Sequence, residues 1–366
     1  MPGSLPSGYR PALNGVRAIA VWLVVLGHWT QQVFPISEMG RMVFFVLSGY
    51  FISGIAWKQK LIQGPARHWW GPLRTFYLRR AVRIIPPYYL ALALGALLPL
   101  ATLHEHPVWF LLSASNLLFY RLRHWGEGVG HYWTLAVEEQ FYLLWPFLLA
   151  LVGRRSTGLL ALAAASLLFR VGWGTRHGAD FVLVLLPSVF DLFAAGALLK
   201  MVERRPWVQR LARGQWAALG WAAWAGLWLV TRLFDLHTLW QFTYHTVGAG
   251  AAFLTLNWAL NLPLSRPAGL RRGLLLHPAL QWVGQRSYGC YLYHLMLPVF
   301  YQRAVYHFFA NESTRAQLLG PLPTVLALAP LLLAMAAASW TWLEAPLDRL
   351  KNHISYVPTG AAIQPD

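Results

Sequence analysis

Apolar residues along this chain run in long blocks, broken by short polar or basic stretches. A helix needs about 20 mostly apolar residues to cross a bilayer core of about 30 Å. Ten blocks meet that length: Leu13–Phe34, Met39–Trp57, Val82–Leu103, His131–Val152, Ser156–Gly174, Phe181–Val202, Gln215–Phe234, Thr238–Leu260, Leu280–Val305 and Leu322–Pro346. The piece Pro107–Tyr120 is shorter and reads as a re-entrant or interfacial helix. The pattern predicts an all-α integral membrane protein with about ten transmembrane helices in one bundle. The first block is too long for a signal-peptide core, so it reads as a retained helix. No gap between blocks is long enough for a soluble domain. Residues 1–348 are therefore expected to form one membrane domain, with a short cytoplasmic tail over 349–366.

Composition agrees: 57% of residues are hydrophobic and 12% charged, against about 25% charged in a soluble domain. Thirty Lys and Arg against thirteen acidic residues give a net charge of +17. Such an excess could suit nucleic acid, so its placement decides. With the N-terminus in the cytoplasm, twenty basic residues fall on the inner side and eight on the outer, while Arg17 and Arg286 lie just inside spans. This is the positive-inside pattern, and it predicts that both termini are cytoplasmic. The charge then faces membrane lipids, and no nucleic-acid partner is expected. A single cysteine, Cys290, excludes an intrachain disulfide and a cysteine-based metal cluster; no metal is predicted. The oligomeric state is not legible.

An ionisable side chain at mid-bilayer costs about 2.5–3.5 kcal/mol even on the lenient insertion scale, so each one is a functional candidate. The candidates taken from the blocks are Arg17, His28, Glu138, Glu139, Asp191, His245, Arg286, His294 and Glu344. Eleven residues separate the levels of Arg17 and His28. At 100° each they end about 20° past whole turns, so the two share a helix face about 16 Å apart along the axis. By the same rise per residue, His28, Glu138 and His294 fall in one outer-half layer if their helices are neighbours. Arg17, Arg79, Arg80, Arg83 and Arg286 collect near the inner mouth. A cationic entrance below an imidazole–carboxylate layer suits an anionic donor arriving from the cytoplasm. Arginine forks bind phosphate, and neutral histidine can take a hydroxyl proton during attack.

Blander readings stand beside these. Arg17 can snorkel to headgroups, and Arg79, Arg80 and Arg83 can serve topology alone. Pro86-Pro87 ends or kinks the helix after them. Ser48-Gly49 reads as close helix packing, because a nucleophile elbow needs a strand–turn–helix context that is absent here. Glu139 points about 100° away from Glu138 and reads as structural. Asp191 and Glu344 read as buried partners of arginines, and His245 as structural. Intramembrane His and Glu also mark proton relays, so a proton-coupled permease is the second class of function.

The segments that hold these residues resemble the membrane-bound acyltransferase 3 family. The stretches are YRPALNGVRAIAVWLVVLGH (9–28), VFFVLSGYFIS (43–53), FYLRRAVRIIPPYYLAL (76–92), HYWTLAVEEQFYLLWPFLL (131–149), FDLFAAGALL (190–199), SYGCYLYHLMLPVF (287–300) and WLEAPL (342–347). They stand in the family's order over nearly the whole chain. Asn14 stands where Asp is common, Arg41-Met42 replaces a usual Val-Asp pair, and Thr134 replaces Ser. No hydrolase-like domain follows the tenth block, so the stand-alone form is expected.

The resemblance implies a bacterial inner-membrane enzyme. It would move an acyl group, acetyl by default, from cytoplasmic acyl-CoA to a hydroxyl of a cell-surface or lipid-linked carbohydrate. Acylation of a small molecule such as an antibiotic is the alternative within that chemistry. It implies His28 as general base, and Arg17, Arg80 and Arg83 on the CoA phosphates. Glu138 would orient His28, balance its charge or help bind acceptor. His294, Asn14, Ser48, Trp133, Glu139 and Asp191 are the further candidates for acceptor contacts or support of the site.

Overall fold

A computed structural model describes residues 10–30, 34–62, 68–262 and 270–356. Tyr9 of the first motif, Arg67 and Arg266 of the charge map, and residues 357–366 of the expected tail lie outside the described residues. The described chain is helical, with no strand among its residues. It opens with α1 (Pro11–Trp29), α2 (Ile36–Lys58) and α3 (Trp70–Ala96), followed by the short α4 (Ala101–Glu105), α5 (Pro107–Leu111) and α6 (Ser115–Leu122). Next come α7 (Tyr132–Val152), α8 (Ser156–His177), two 3-10 turns (Val182–Val184 and Leu186–Val189) and α9 (Phe190–Val202). Then follow α10 (Pro206–Arg210), α11 (Gly214–Leu233), α12 (His237–Leu260) and α13 (Leu270–Leu276). The last are α14 (Pro278–Gln285), α15 (Ser287–Tyr293), α16 (Met296–Phe308), α17 (Glu312–Leu318), α18 (Pro321–Ser339), a π turn (Trp340–Glu344) and α19 (Ala345–His353). Five described stretches are long and apolar enough to cross a membrane: α1, α2, α7, α8 and Pro321–Lys351. Large apolar side chains on α3, α7, α8, α11 and α18 are exposed, as lipid-facing surfaces require. This is the all-α integral membrane protein the pattern predicts.

Several expected spans differ in form. The third helix begins at Trp70 rather than Val82 and ends at Ala96, just before Pro99. Its arginines thus lie within a helix instead of at its start. Pro86 and Pro87 stay inside it; they withhold the N–H groups that would meet the carbonyls of Val82 and Arg83. The piece after α3 is not one interfacial helix but the short α4, α5 and α6. The sixth span is irregular until Phe190 because Pro187 sits in it and Leu185 is extended. Its carbonyls are still satisfied: Asn116 Nδ2 donates to Val184 O at 3.1 Å and Ser188 Oγ to Val182 O at 2.6 Å. Such backbone is tolerated at membrane depth only where protein covers it. The ninth span breaks twice, at Arg286 and at His294–Leu295. The expected boundary at residue 348 falls inside α19, whose end is pinned to α3: Arg79 donates to Lys351 O at 2.9 Å and Ile354 O at 2.5 Å.

Close helix crossings set the bundle. A Cβ at Gly49 of α2 would lie 2.1 Å from Phe193 O, and one at Gly196 of α9 would lie 2.0 Å from Val46 O. The two backbones touch because neither residue carries a side chain. Likewise a Cβ at Gly40 of α2 would lie 2.2 Å from Ala20 O of α1, and one at Gly284 of α14 would lie 2.0 Å from Asn14 O. Across α8, α9 and α12 the lock is polar. Arg170 and Asp191 pair at 2.8 Å, with side chains 0% and 1% exposed. Arg170 spends its five donors on Asp191, Thr246, Ser166, Phe242 O and Ser188 O. Thr246 Oγ1 and the Leu192 N–H return bonds to Asp191.

Two outcomes follow. Gly196→Val should destabilise the detergent-solubilised protein by about 3 kcal/mol or more, whereas Gly226→Ala, with nothing near its Cβ, should melt as wild type. Arg170→Met alone should cost about 3–5 kcal/mol by stranding Asp191. Adding Asp191→Leu should recover much of that loss in thermal melts; no recovery would mean the pair is not the source.

Candidate active site

Helices α1, α2, α3, α7 and α15 enclose a cavity of about 320 Å³. Arg17, Arg80 and Arg83 line it together with Glu138 and Glu139. The long α3 makes this possible, since it carries Arg80 and Arg83 within a helix whose side chains reach α7: Tyr77 Oη donates to Leu143 O at 2.9 Å. Arg80 lies over the Tyr142 ring at 5.3 Å, which holds its head against α7. Arg83, Glu138 and Glu344 are charged neighbours of Arg17. The other two arginines expected at this mouth go elsewhere. Arg79 caps α19, and Arg286 stacks on Trp282 at 4.2 Å.

Glu138 does not reach His28. It accepts from Ser48 Oγ at 2.9 Å and from Tyr142 Oη at 3.3 Å, and it faces the arginines. Ser48 is thus a cavity residue that positions a carboxylate, while its neighbour Gly49 makes the close packing. Glu139, expected to be structural, also lines the cavity. Asn14 sits where α1 crosses α14, and Trp133 is buried beside Phe45 and Trp125. Asp191 belongs to the Arg170 lock and stands apart from the cavity lining. Glu344 accepts from Ser339 Oγ at 2.8 Å.

At the Trp29 end of α1 the structure joins His28 and His294. Their rings stack with centroids 5.1 Å apart, and His28 Nδ1 lies 2.9 Å from His294 Nε2. The second break in the ninth span builds this pair, because its freed carbonyls sort the protons. Tyr291 O lies 2.7 Å from His294 Nδ1. A carbonyl only accepts, so Nδ1 carries the hydrogen and the neutral ring offers a lone pair at Nε2. His28 Nδ1–H then donates to that lone pair, which leaves the His28 Nε2 lone pair unused. Trp29 Nε1 donates to His294 O at 2.7 Å and fixes the turn from below. His28 is exposed while His294 is buried. His28 is not among the cavity-lining residues. It lies one side chain beyond them: Tyr291 lines the cavity, and its ring centroid is 5.2 Å from that of His294.

Several site residues escaped the sequence reading. His131 donates from Nε2 to Leu292 O at 3.1 Å and its ring lies 4.6 Å from that of His294. It stands two positions before Trp133 in a quoted motif, which was its one available signal. Thr134 and Tyr291 share a 2.6 Å hydrogen bond at the cavity wall. Arg41 also lines the cavity; its pairing with Glu38, three residues earlier on α2, was the signal. No group of three or more His, Cys, Asp or Glu among the described residues has metal-binding geometry.

Comparison with known proteins gives this arrangement its relatives. A family model described as "Acyltransferase domain" matches residues 10–342. Peptidoglycan O-acetyltransferase OatA of Listeria monocytogenes is 27% identical over 322 residues, covering 78% of this chain and 49% of that protein. The protein YrhL of Bacillus subtilis is 27% identical over 321 residues, covering 78% of this chain and 48% of its own length. The chain spans about half the length of these curated relatives. No solved structure matches it. Because the match takes in the cavity helices and both imidazoles of the pair, the chain belongs to the acyltransferase 3 family.

Proposed function

We propose that this protein is an integral-membrane O-acyltransferase. It moves an acyl group, acetyl by default, from cytoplasmic acyl-CoA to a hydroxyl of a cell-envelope carbohydrate. The acceptor class follows the relative named for peptidoglycan. The observation that carries the chemistry is the proton order through Tyr291 O, His294 and His28, which leaves the exposed His28 Nε2 as a free base. The acceptor hydroxyl gives its proton to His28 Nε2 as its oxygen attacks the thioester carbon. The resulting imidazolium is stabilised by His294 Nε2, still accepting at Nδ1–H. Collapse of the tetrahedral intermediate expels the CoA thiolate, which recovers the proton from His28. An ester and a free thiol leave, and His28 is neutral again.

The cavity fits the donor side of this reaction. Arg17, Arg80 and Arg83 offer guanidinium forks to phosphate, the anionic part of CoA. Glu138 and Glu139 line the same cavity and offset part of that positive charge. In this reading the chain crosses a bacterial inner membrane about ten times with both termini cytoplasmic. Residues 1–348 and the docked α19 then form the membrane domain, and the tail is the part beyond it. Membership of an acyltransferase family favours this over a permease.

His28→Ala should lower acetyl transfer from labelled acetyl-CoA at least 100-fold, the usual scale for a lost general base. The variant should keep wild-type abundance in the membrane; full transfer would remove His28 from the mechanism. Arg17→Gln and Arg80→Gln should each raise KM for acetyl-CoA about tenfold, the loss of one charge-assisted hydrogen bond. The turnover number should change less. An unchanged KM in both variants would place the phosphates elsewhere.

A further inference from the structure

Arg41 has donors that its neighbours do not use. Its Nη2 pairs with Glu38 and donates to Tyr244 Oη at 2.9 Å, with His245 Nε2 at 3.3 Å. Its guanidinium lies over the Trp133 ring, 4.7 Å from the centroid. One corner is therefore anchored and one face covered. Nη1 makes no hydrogen bond among the described residues, and Nε is buried without one. The side chain is 12% exposed, and it lines the cavity with Arg17, Arg80 and Arg83.

Its level matters. Gly40 packs against Ala20 O, so Arg41 stands between Arg17 and His28 along α1. Arg41 is also the charged side chain whose field reaches His28. A donor held by its phosphates at Arg17 and Arg80 presents its reacting end toward this level.

We propose that Nη1 of Arg41 is the oxyanion-binding group of the transfer reaction. This rests on the acyl-transfer reading above. When the hydroxyl oxygen attacks, the C=O electron pair moves onto the thioester oxygen, and Arg41 Nη1 donates to it. When the intermediate collapses, that pair re-forms the carbonyl and the thiolate leaves. Fixed donors aimed at developing charge in a site of low polarity need no reorganisation, which is the source of their catalytic effect. Glu38, Tyr244 and Trp133 supply the fixing.

The test uses the full chain in lipid nanodiscs with labelled acetyl-CoA. Two rates are read: slow hydrolysis by water, and transfer to a soluble N-acetylglucosamine oligomer. The tetrahedral oxyanion forms in both. Arg41→Lys and Arg41→Gln should each lower both turnover numbers about 100-fold or more, with KM for acetyl-CoA within threefold. CoA binding by equilibrium dialysis should stay at wild-type strength, which shows that the site is folded. The proposal is overturned if both rates persist, or if KM for acetyl-CoA rises tenfold with turnover retained. It is equally overturned if CoA binding is lost with the rate, or if only transfer to the oligomer falls. Failure of the underlying reading looks different: the wild-type protein then turns over no acetyl-CoA at all.

Discussion

A backbone carbonyl freed inside an apolar bundle must find a donor, and this requirement organises the site. The ninth span breaks after Tyr293, so the carbonyls near it lose their helical partners. Those of Tyr291, Leu292 and His294 are met by side chains. His294 Nδ1 takes Tyr291 O, His131 Nε2 and Tyr132 Oη take Leu292 O, and Trp29 Nε1 takes His294 O. An unmet carbonyl at such depth would cost several kcal/mol. The chain meets that cost with imidazoles, and in doing so it sets which nitrogen of each carries the proton. The break and the histidine pair are thus one structural feature.

The cavity shows a related compromise. Three arginines in one apolar bundle repel each other and resist dehydration. Carboxylates on α7 and the aromatic rings of Phe76 and Tyr142 temper this without filling the guanidinium forks. The result is a cationic pocket that still has donors to offer. Arg170 shows the opposite use of the same residue type. All its donors are consumed internally, and it holds helices together rather than holding a ligand.

The helices themselves were legible because apolar blocks of about 20 residues are a strong signal. The shared face of Arg17 and His28 was legible too, since α1 is an unbroken helix. Other features depend on tertiary partners and were not. Pro187 and His294 sit in stretches as apolar as any helix, and donors waiting on α6, α7, α8 and α1 make their breaks tolerable. Glu138 was placed near His28 by depth alone; depth says nothing about which way a helix faces, and α7 turns this carboxylate toward Ser48 and Tyr142. Arg79 and Arg83 share a helix face in an ideal helix, yet one caps α19 and the other lines the cavity. Long flexible side chains diverge where their Cβ atoms do not.

The reliance on main-chain acceptors changes how variation at this site should be interpreted. The carbonyl at position 292 holds His131 and Tyr132 whatever side chain the residue bears. Leu292 can therefore be replaced by another apolar residue while the polar geometry persists. The vulnerable quantity is the path of the backbone between residues 291 and 296, and no single side chain encodes it. A scan of substitutions scored one position at a time would pass over the element that assigns the site its protons.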